Sequence, residues 1–440
     1  MADARRVAVL GLDGLPHSLL VSLCAQGVMP NLARLAESGT LVPMESTQPP
    51  VSSVAWTSFM TGRNPGEHGI FGFTDLHDDR ISLRLPSFDD VKCPALWQTL
   101  GDRGKTSTVV NLPFTYPARP LRGVLIAGFV APTLERAVYP ESLLPWLRSM
   151  DYRVDVDAAA GRKDRRGLIT DLFHTLNVHE QVMLSLMESR PWDLFIGVIT
   201  GTDRLHHFFF DAAYDETHPF HGDFKEYYRR VDTCVGRFTS KLGNDTRLVV
   251  LSDHGFTGLK TQVYVNNMLQ DLGYLRFAGH SGGRLEEMDP RSVAFAMDPS
   301  RIYLCRRSRF PQGRVLPAEE ERTLAKLTHD LERVTLADAG VGEPPDSDHA
   351  SDRLFEKVLT KEEIYSGRCM DKAPDLVLVP RRGYDLKATL GVPRTSMRDI
   401  FTGTHTHDDA FLLVNESGLG PNLQGMRIDR VAALVLETLP

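Results

Sequence analysis

Short apolar runs with almost no polar interruption recur along the chain: RVAVLGL at Arg6 to Leu12, TSTVVNL at Thr106 to Leu112, DLFIGVIT at Asp193 to Thr200, and RLVVLS at Arg247 to Ser252. Each has strand length and is rich in Val, Ile and Leu, the pattern of strands covered on both faces of a parallel sheet. Between them apolar positions fall at helical spacing, in PNLARLAES from Pro30, PALWQTLGDRG from Pro94, and a long segment from about Gly167 to Glu188. Strand and helix alternate, which predicts an α/β fold around a mostly parallel sheet. From about Thr257 to Arg398 the texture changes. Proline, glycine and charge become frequent, as in GHSGGRLEEMDPRS and DAGVGEPPDSDHASD, and the regular pieces shorten. Residues 257–398 read as an elaborated or cap region packed on a core formed by 1–256 and 399–440. In the last part of that core the alternation resumes, with DAFLLV as a final strand and RIDRVAALVLETL as a closing helix.

Composition narrows the class. A chain of 440 residues with 42% hydrophobic content can bury a large core. A net charge of -7 and a pI near 6.1 supply no basic field, so extended nucleic-acid binding is not expected. Cys24, Cys93, Cys234, Cys305 and Cys369 are scattered without CxxC spacing, against both a disulfide framework and a thiolate zinc site. MADARRVAVLGLDGL lacks the apolar core and cleavage site of a signal peptide, and no run reaches the roughly 18 apolar residues of a membrane span. A cytoplasmic protein without membrane partners is the expectation.

In an open α/β sheet, functional groups collect just beyond the C-terminal ends of the strands. Asp13 follows the first apolar run in VLGLDGL. Asp253 and His254 follow another in VVLSDHGF, where Gly255 lets the backbone turn away. Asp203 and His207 follow a third in VITGTDRLHHFFF, and a spacing of four sets them on one face of a helical turn. FTGTHTHDDAFLLV places His405 and His407 just before the last strand. Singly, each has a plain structural explanation, since an acid after a strand usually caps a helix or forms a turn. Together they offer oxygen and imidazole donors without cysteine, which suit two divalent ions better than one. Two such ions about 4 Å apart would hold the attacking and leaving oxygens of an in-line displacement.

A hydroxyl nucleophile is on hand in PPVSSVAWTSFMTGRNPGEHGIFGF, Pro49 to Phe73, which sets Ser52 and Ser53 before a short helical pattern. Either serine would serve as an ordinary N-cap. Either hydroxyl, at a helix N-terminus that favours negative charge, is also placed to attack phosphorus.

GLDG, the Pro49 to Phe73 stretch, GTDRLHH, LSDHGF and GTH together resemble the alkaline phosphatase superfamily, specifically its type I phosphodiesterase/nucleotide pyrophosphatase branch. The motifs run in family order from first strand to last, and the Asp-His-Gly run and TG-x-x-P-x-x-HGI are their specific parts. The resemblance implies a three-layer αβα sandwich and a metal-dependent phosphoester hydrolase acting through a covalent phospho-Ser. It also implies two divalent ions, Zn2+ with Mn2+ as the alternative, and a small phosphorylated substrate. In that family the nucleophile stands ten residues before the glycine of the TG pair, which counts back from Gly62 to Ser52, with Ser53 as the alternate. The implied ligands are Asp13, Ser52, Asp253 and His254 for one ion. For the other they are Asp203, His207 and His405, with His407 as the alternate to His405.

One departure bears on substrate. Nucleotide pyrophosphatases usually carry an asparagine three residues after the nucleophile, and here that position is Ala55. A phosphodiesterase or pyrophosphatase is the first reading, and a phosphomonoesterase or phosphotransferase on a small metabolite the second. The C/S-x-P-x-R context of sulfatases is absent, and a non-catalytic metal-stabilised protein would be expected to have lost ligands. The phenylalanines of HHFFF and His206 read as packing, His68 as a turn residue, and Trp56 as either a wall of the site or core beneath it. Arg306, Arg307, Arg309 and Arg314 read first as surface charge and only second as phosphate readers.

Overall fold

The computed structural model of the protein describes residues 6–277, 284–341, 352–390, 392, 395–397 and 400–439, and in it all four apolar runs are strands of one eight-stranded sheet. Arg6–Leu12 lies between Thr246–Leu251 and Leu194–Ile199, and Ser107–Leu112 and Gly123–Ala127 follow beyond, all parallel. The two edges run antiparallel. Val138–Tyr139 closes one side, and Ala410–Val414 joins Thr246–Leu251 to the edge strand Thr40–Met44 on the other.

Burial explains the sequence pattern. Val7 to Leu12 are all buried, and a strand that hides both faces carries no polar alternation. Gly11 is small for a reason of packing, since a Cβ there would stand 2.6 Å from the Trp56 ring. The helix Arg165–Ser189 starts at Asp164, whose side chain accepts from the Gly167 N–H at 2.8 Å, and buries Leu168, Leu172, Leu176, His179, Met183 and Leu186. The closing helix Ile428–Thr438 buries Ile428, Val431 and Val435, and lies against the helix Ser52–Thr61. Neither Ser52 nor Ser53 caps that helix, contrary to the ordinary expectation. The extended Val51 is its N-cap, both serines lie inside its first turn, and Gly62 ends it at φ 64°. The strand Thr40–Met44 escapes the sequence pattern because it is a half-exposed edge strand with Pro43 inside it.

The chain divides into two compact units, one comprising 1–63, 87–257 and 400–440, the other 64–86 and 258–399. The expected division counted 64–86 with the core over 1–256 and 399–440. Here those residues group with the second unit, because Leu76 is buried in that unit's apolar cluster and the fully buried Arg301 donates to the Thr74 carbonyl at 2.9 Å. No local pattern announces such a contact. The second unit holds an antiparallel sheet in the order Ala294–Met297, Arg301–Leu304, Leu376–Pro380, Phe355–Thr360, beside a three-stranded sheet centred on Thr261–Tyr264. Parts of the two Pro- and Gly-rich loops, 278–283 and 342–351, lie outside the described residues, as do Met1 to Arg5. Of the arginines singled out there, Arg306 pairs with Asp375, Arg309 covers Tyr303 and Phe310, and Arg314 meets Glu319 at 3.5 Å. Among the described residues no single helix is long and apolar enough to cross a membrane. His17–Ala25 and Pro30–Ser38 qualify only as a pair, bent by 107°.

Two buried histidines make the fold sensitive to acid. His68 accepts the Ile70 N–H at Nδ1, 3.1 Å away, and burial depresses its pKa to about 3. His179 faces the Arg153 carbonyl at 2.6 Å through Nε2 and the Asn111 amide at 3.3 Å through Nδ1, and burial lowers its pKa too. Carbonyl on one side and amide on the other specify a neutral imidazole. In the unfolded chain both titrate near the ordinary value of 6.5. Stability is therefore full above that pH and falls as pH drops below it, where only the unfolded state takes up the protons. Because the raised Asp13 and Asp253 carboxyls work in the opposite direction, the check is a comparison of variants. Between pH 7.5 and pH 5 the urea midpoint of His179→Gln is expected to shift toward that of the wild type. A gap between the two midpoints that does not change with pH would contradict the neutral assignment.

Candidate active site

Three neighbouring parallel strands end side by side, and just past each end stands an acid. Asp13 follows Arg6–Leu12, and its N–H donates to the Ile199 carbonyl at 3.1 Å. Asp253 follows Thr246–Leu251, and its Oδ1 accepts the Gly14 N–H at 3.0 Å. Gly14 can point its amide that way because its φ is 67°, a conformation that glycine adopts without strain. Asp203 lies in the helix Gly201–Phe209 that follows Leu194–Ile199, and one turn later His207 brings Nε2 to 3.4 Å from Asp203 Oδ1.

The remaining groups arrive from distant parts of the chain. His405 sits on the short strand Gly403–Thr406, anchored where the Thr402 N–H donates to the His207 carbonyl at 2.7 Å. Its Nε2 is 3.2 Å from Asp203 Oδ1 and 3.0 Å from His207 Nε2. His254 Nε2 lies 3.3 Å from Asp253 Oδ2 and 3.8 Å from Asp13 Oδ1. Ser52 Oγ is 3.3 Å from Asp13 Oδ1 and 3.2 Å from His254 Nε2. All seven principal candidates thus meet in one pocket. Of the alternates, Ser53 is fully buried and its hydroxyl has no hydrogen-bond partner among the described residues. His407 lies beyond the strand, where its carbonyl accepts from the Ser46 N–H at 2.7 Å.

The donor set fits cations. Asp203 Oδ1 and Asp253 Oδ2 are buried and accept no hydrogen bond among the described residues. The Pro50 carbonyl lies 2.9 Å from His405 Nδ1, and the Gly255 carbonyl 3.1 Å from His254 Nδ1. Facing carbonyls hold the proton on Nδ1 of both rings, so each Nε2 turns a lone pair inward. Lone pairs and carboxylate oxygens packed this closely repel one another unless positive charge lies between them. Two groups of side chains are spaced to hold a metal ion, Asp203 with His254 and His405, and Asp13 with Asp253 and His254. His207 joins the first through its contacts with Asp203 and His405.

Titration reflects the same crowding. Burial, with the charges of Asp253 and Asp203 added, pushes the Asp13 carboxyl well above its usual range. Burial drives Asp253 up to about 7, against the Gly14 N–H and with the Asp203 charge adding to it. Burial also raises Asp203, but His207, His405 and Arg204 outweigh it and hold that carboxyl well below its ordinary value. Burial, then the neighbouring His405, brings His254 down to about 3.

Several supporting residues carry no motif. The Trp56 indole N–H donates to Asp13 Oδ2 at 3.0 Å, so this fully buried ring is core and also fixes a site carboxylate. Its place four residues after Ser52 on one helix was the available signal. Thr202 Oγ1 donates to the Asp13 carbonyl at 2.6 Å. His206 is engaged at both nitrogens, by the Gly14 carbonyl at 3.0 Å and the Tyr228 hydroxyl at 2.6 Å, and so belongs to the packing.

A family model described as type I phosphodiesterase / nucleotide pyrophosphatase matches residues 7–408. Among solved structures, the fold is similar to phosphonoacetate hydrolase from Sinorhizobium meliloti 1021 in complex with phosphonoacetate, with a TM-score of 0.64 at 17% identity over 100% of this chain and 97% of that one. It is similar also to an inactive variant of murine ectonucleotide pyrophosphatase / phosphodiesterase 5 in complex with AMP, with a TM-score of 0.57 at 14% identity over 99% and 95% of the two chains. The human counterpart of the latter gives a TM-score of 0.55 at 13% identity, over 99% and 94%. Comparison with curated proteins finds no match by sequence. The architecture is that of alkaline-phosphatase-like enzymes.

Trp56→Phe removes the N–H from Asp13 Oδ2 and also part of the indole's packing against Gly11. Loss of a buried donor to a carboxylate is expected to cost about 1–3 kcal/mol, read as a lower urea midpoint of the metal-free protein. A midpoint equal to that of the wild type would show that the bond contributes nothing.

Proposed function

The chain belongs to the type I phosphodiesterase / nucleotide pyrophosphatase family, and from that premise we propose that it is a phosphodiesterase working through a covalent phosphoserine at Ser52. It is a phosphoester hydrolase of the alkaline phosphatase superfamily. The observation that carries the finer reading is the Ser52 hydroxyl, in contact with both Asp13 and His254 at the edge of a cluster of three carboxylates and three imidazoles.

Ser52 Oγ attacks phosphorus, and the bond to the leaving alcohol breaks as the new P–O bond forms. The Ser52 hydroxyl donates to Asp13 Oδ1 at 3.3 Å, a contact that orients it, and its proton passes through solvent to the leaving alcohol. The amides of Ser52 and Ser53 open the helix, have no acceptor within it, and are free to meet the phosphoryl oxygens. Water then attacks the phosphoserine, releases the phosphate monoester and restores the hydroxyl. Divalent cations, held by Asp13, Ser52, Asp253 and His254 on one side and by Asp203, His207 and His405 on the other, would supply Lewis acidity for both displacements. Oxygen and imidazole donors favour Zn2+, with Mn2+ next.

Phosphomonoester hydrolysis or phosphotransfer on a small metabolite is the second reading. It is favoured by Ala55, a buried methyl where nucleotide pyrophosphatases usually place an amide. Five cysteines that form no disulfide among the described residues support a reducing compartment, and we place the protein in the cytoplasm.

Ser52→Ala is expected to lower turnover by at least about 10³-fold while leaving the fold and most cation uptake intact. Near-normal turnover would move the nucleophile elsewhere. Bis-p-nitrophenyl phosphate is expected to be cleaved with a higher kcat/KM than p-nitrophenyl phosphate, and activity should disappear after chelation. The opposite substrate ratio would select the monoesterase reading, and full activity after chelation would remove the cations from the mechanism.

A further inference from the structure

Each site carboxylate has one oxygen tied to a donor outside the cluster and one facing into it. Asp13 Oδ2 is held by the Trp56 indole at 3.0 Å and Asp253 Oδ1 by the Gly14 amide at 3.0 Å. For Asp203 the donor is charged. Arg204 Nη1 lies 3.4 Å from Asp203 Oδ2, while Asp203 Oδ1 turns toward His207 and His405. Arg204 is itself fixed. Its Nε and Nη2 donate to Asp155 Oδ2 at 2.9 and 2.6 Å, and its guanidinium lies 4.3 Å over the Phe129 ring centroid. The side chains of Arg204, Asp155 and Asp203 are only 15%, 13% and 8% exposed, so solvent screens these contacts little.

We propose that Arg204 is a positioning residue for the ligand set Asp203, His207 and His405, and that Asp155 and Phe129 form the clamp that aims it. The proposal rests on the two-cation reading above. Asp155 shares the guanidinium, so Arg204 gives Asp203 a fixed orientation in addition to its charge. A planar fork can hold Asp155 on one edge and reach Asp203 on another, and this lowers the freedom of Asp203 to rotate its inner oxygen away from the imidazoles. A lysine carries the same charge on a single nitrogen and cannot span both carboxylates in that geometry. Outer contacts of this kind are typically worth about 10- to 100-fold in metal affinity.

The test is calorimetric titration of the metal-free full-length protein with Zn2+. Wild type is expected to take up two ions, one of which is lost in Asp203→Asn. In Arg204→Met combined with Asp155→Leu, which removes both partners and leaves no buried charge alone, that same event should weaken about 10- to 100-fold with the other unchanged. Arg204→Lys, which preserves the charge and is the less disruptive variant, should weaken it to a similar extent. Wild-type affinity at both sites in folded Arg204→Lys would overturn the assignment of the guanidinium fork, whatever the double variant does. Uptake of no Zn2+ by the wild type would instead bring down the two-cation reading, and this inference with it.

Discussion

Three carboxylates and three imidazoles share one buried pocket, and the surrounding structure answers to the electrostatic cost of that convergence. Asp13, Asp203 and Asp253 are each nearly inaccessible, and the raised Asp13 and Asp253 carboxyls express how poorly neighbouring negative charges tolerate one another in a desolvated site. Protonation or bound cations relieve that repulsion, and a single cation can engage the carboxylates and the inward lone pairs of His254 and His405 at once. The same convergence puts the Ser52 hydroxyl beside Asp13 and His254, where bound cations would stabilise it as an alkoxide.

Such a cluster has to be held rigidly, and the fold does so with backbone. Adjacent parallel strands in strict register set Asp13 and Asp253 beside each other, and the left-handed Gly14 ties one turn to the next. The helix Gly201–Phe209 supplies Asp203 and His207 one turn apart, and the strand Gly403–Thr406 returns from the far end of the chain to add His405. Carbonyls of Pro50 and Gly255 choose the imidazole tautomers. In each of these contacts one partner is a main-chain group, so the backbone fixes where the site side chain stands.

Outside this frame the supporting contacts are particular to the chain. Trp56 fills the space above Gly11 and donates to Asp13, and Arg204 reaches from Asp155 to Asp203. One is a neutral donor in the core and the other a clamped cation. Both restrict a carboxylate that would otherwise have two oxygens free to rotate.

The alternation of buried strands with amphipathic helices, and the acids and histidines at the strand ends, could be read directly from the sequence. Both are consequences of short-range rules: a strand covered on two faces must be apolar throughout, and a turn after it is where a polar group can emerge. Ser52 and His405 were reached by motif spacing, with Ser53 and His407 open beside them. Which hydroxyl and which imidazole point into the pocket was decided by the helix starting at Val51 and by the pairing of Gly403–Thr406, neither of which a linear pattern contains. The grouping of 64–86 with the second unit, the Trp56 and Arg204 contacts and the shifted titration of Asp13 and Asp253 likewise depend on residues far apart in the chain. Burial and electrostatic coupling are properties of three-dimensional neighbours, and sequence distance carries no information about them.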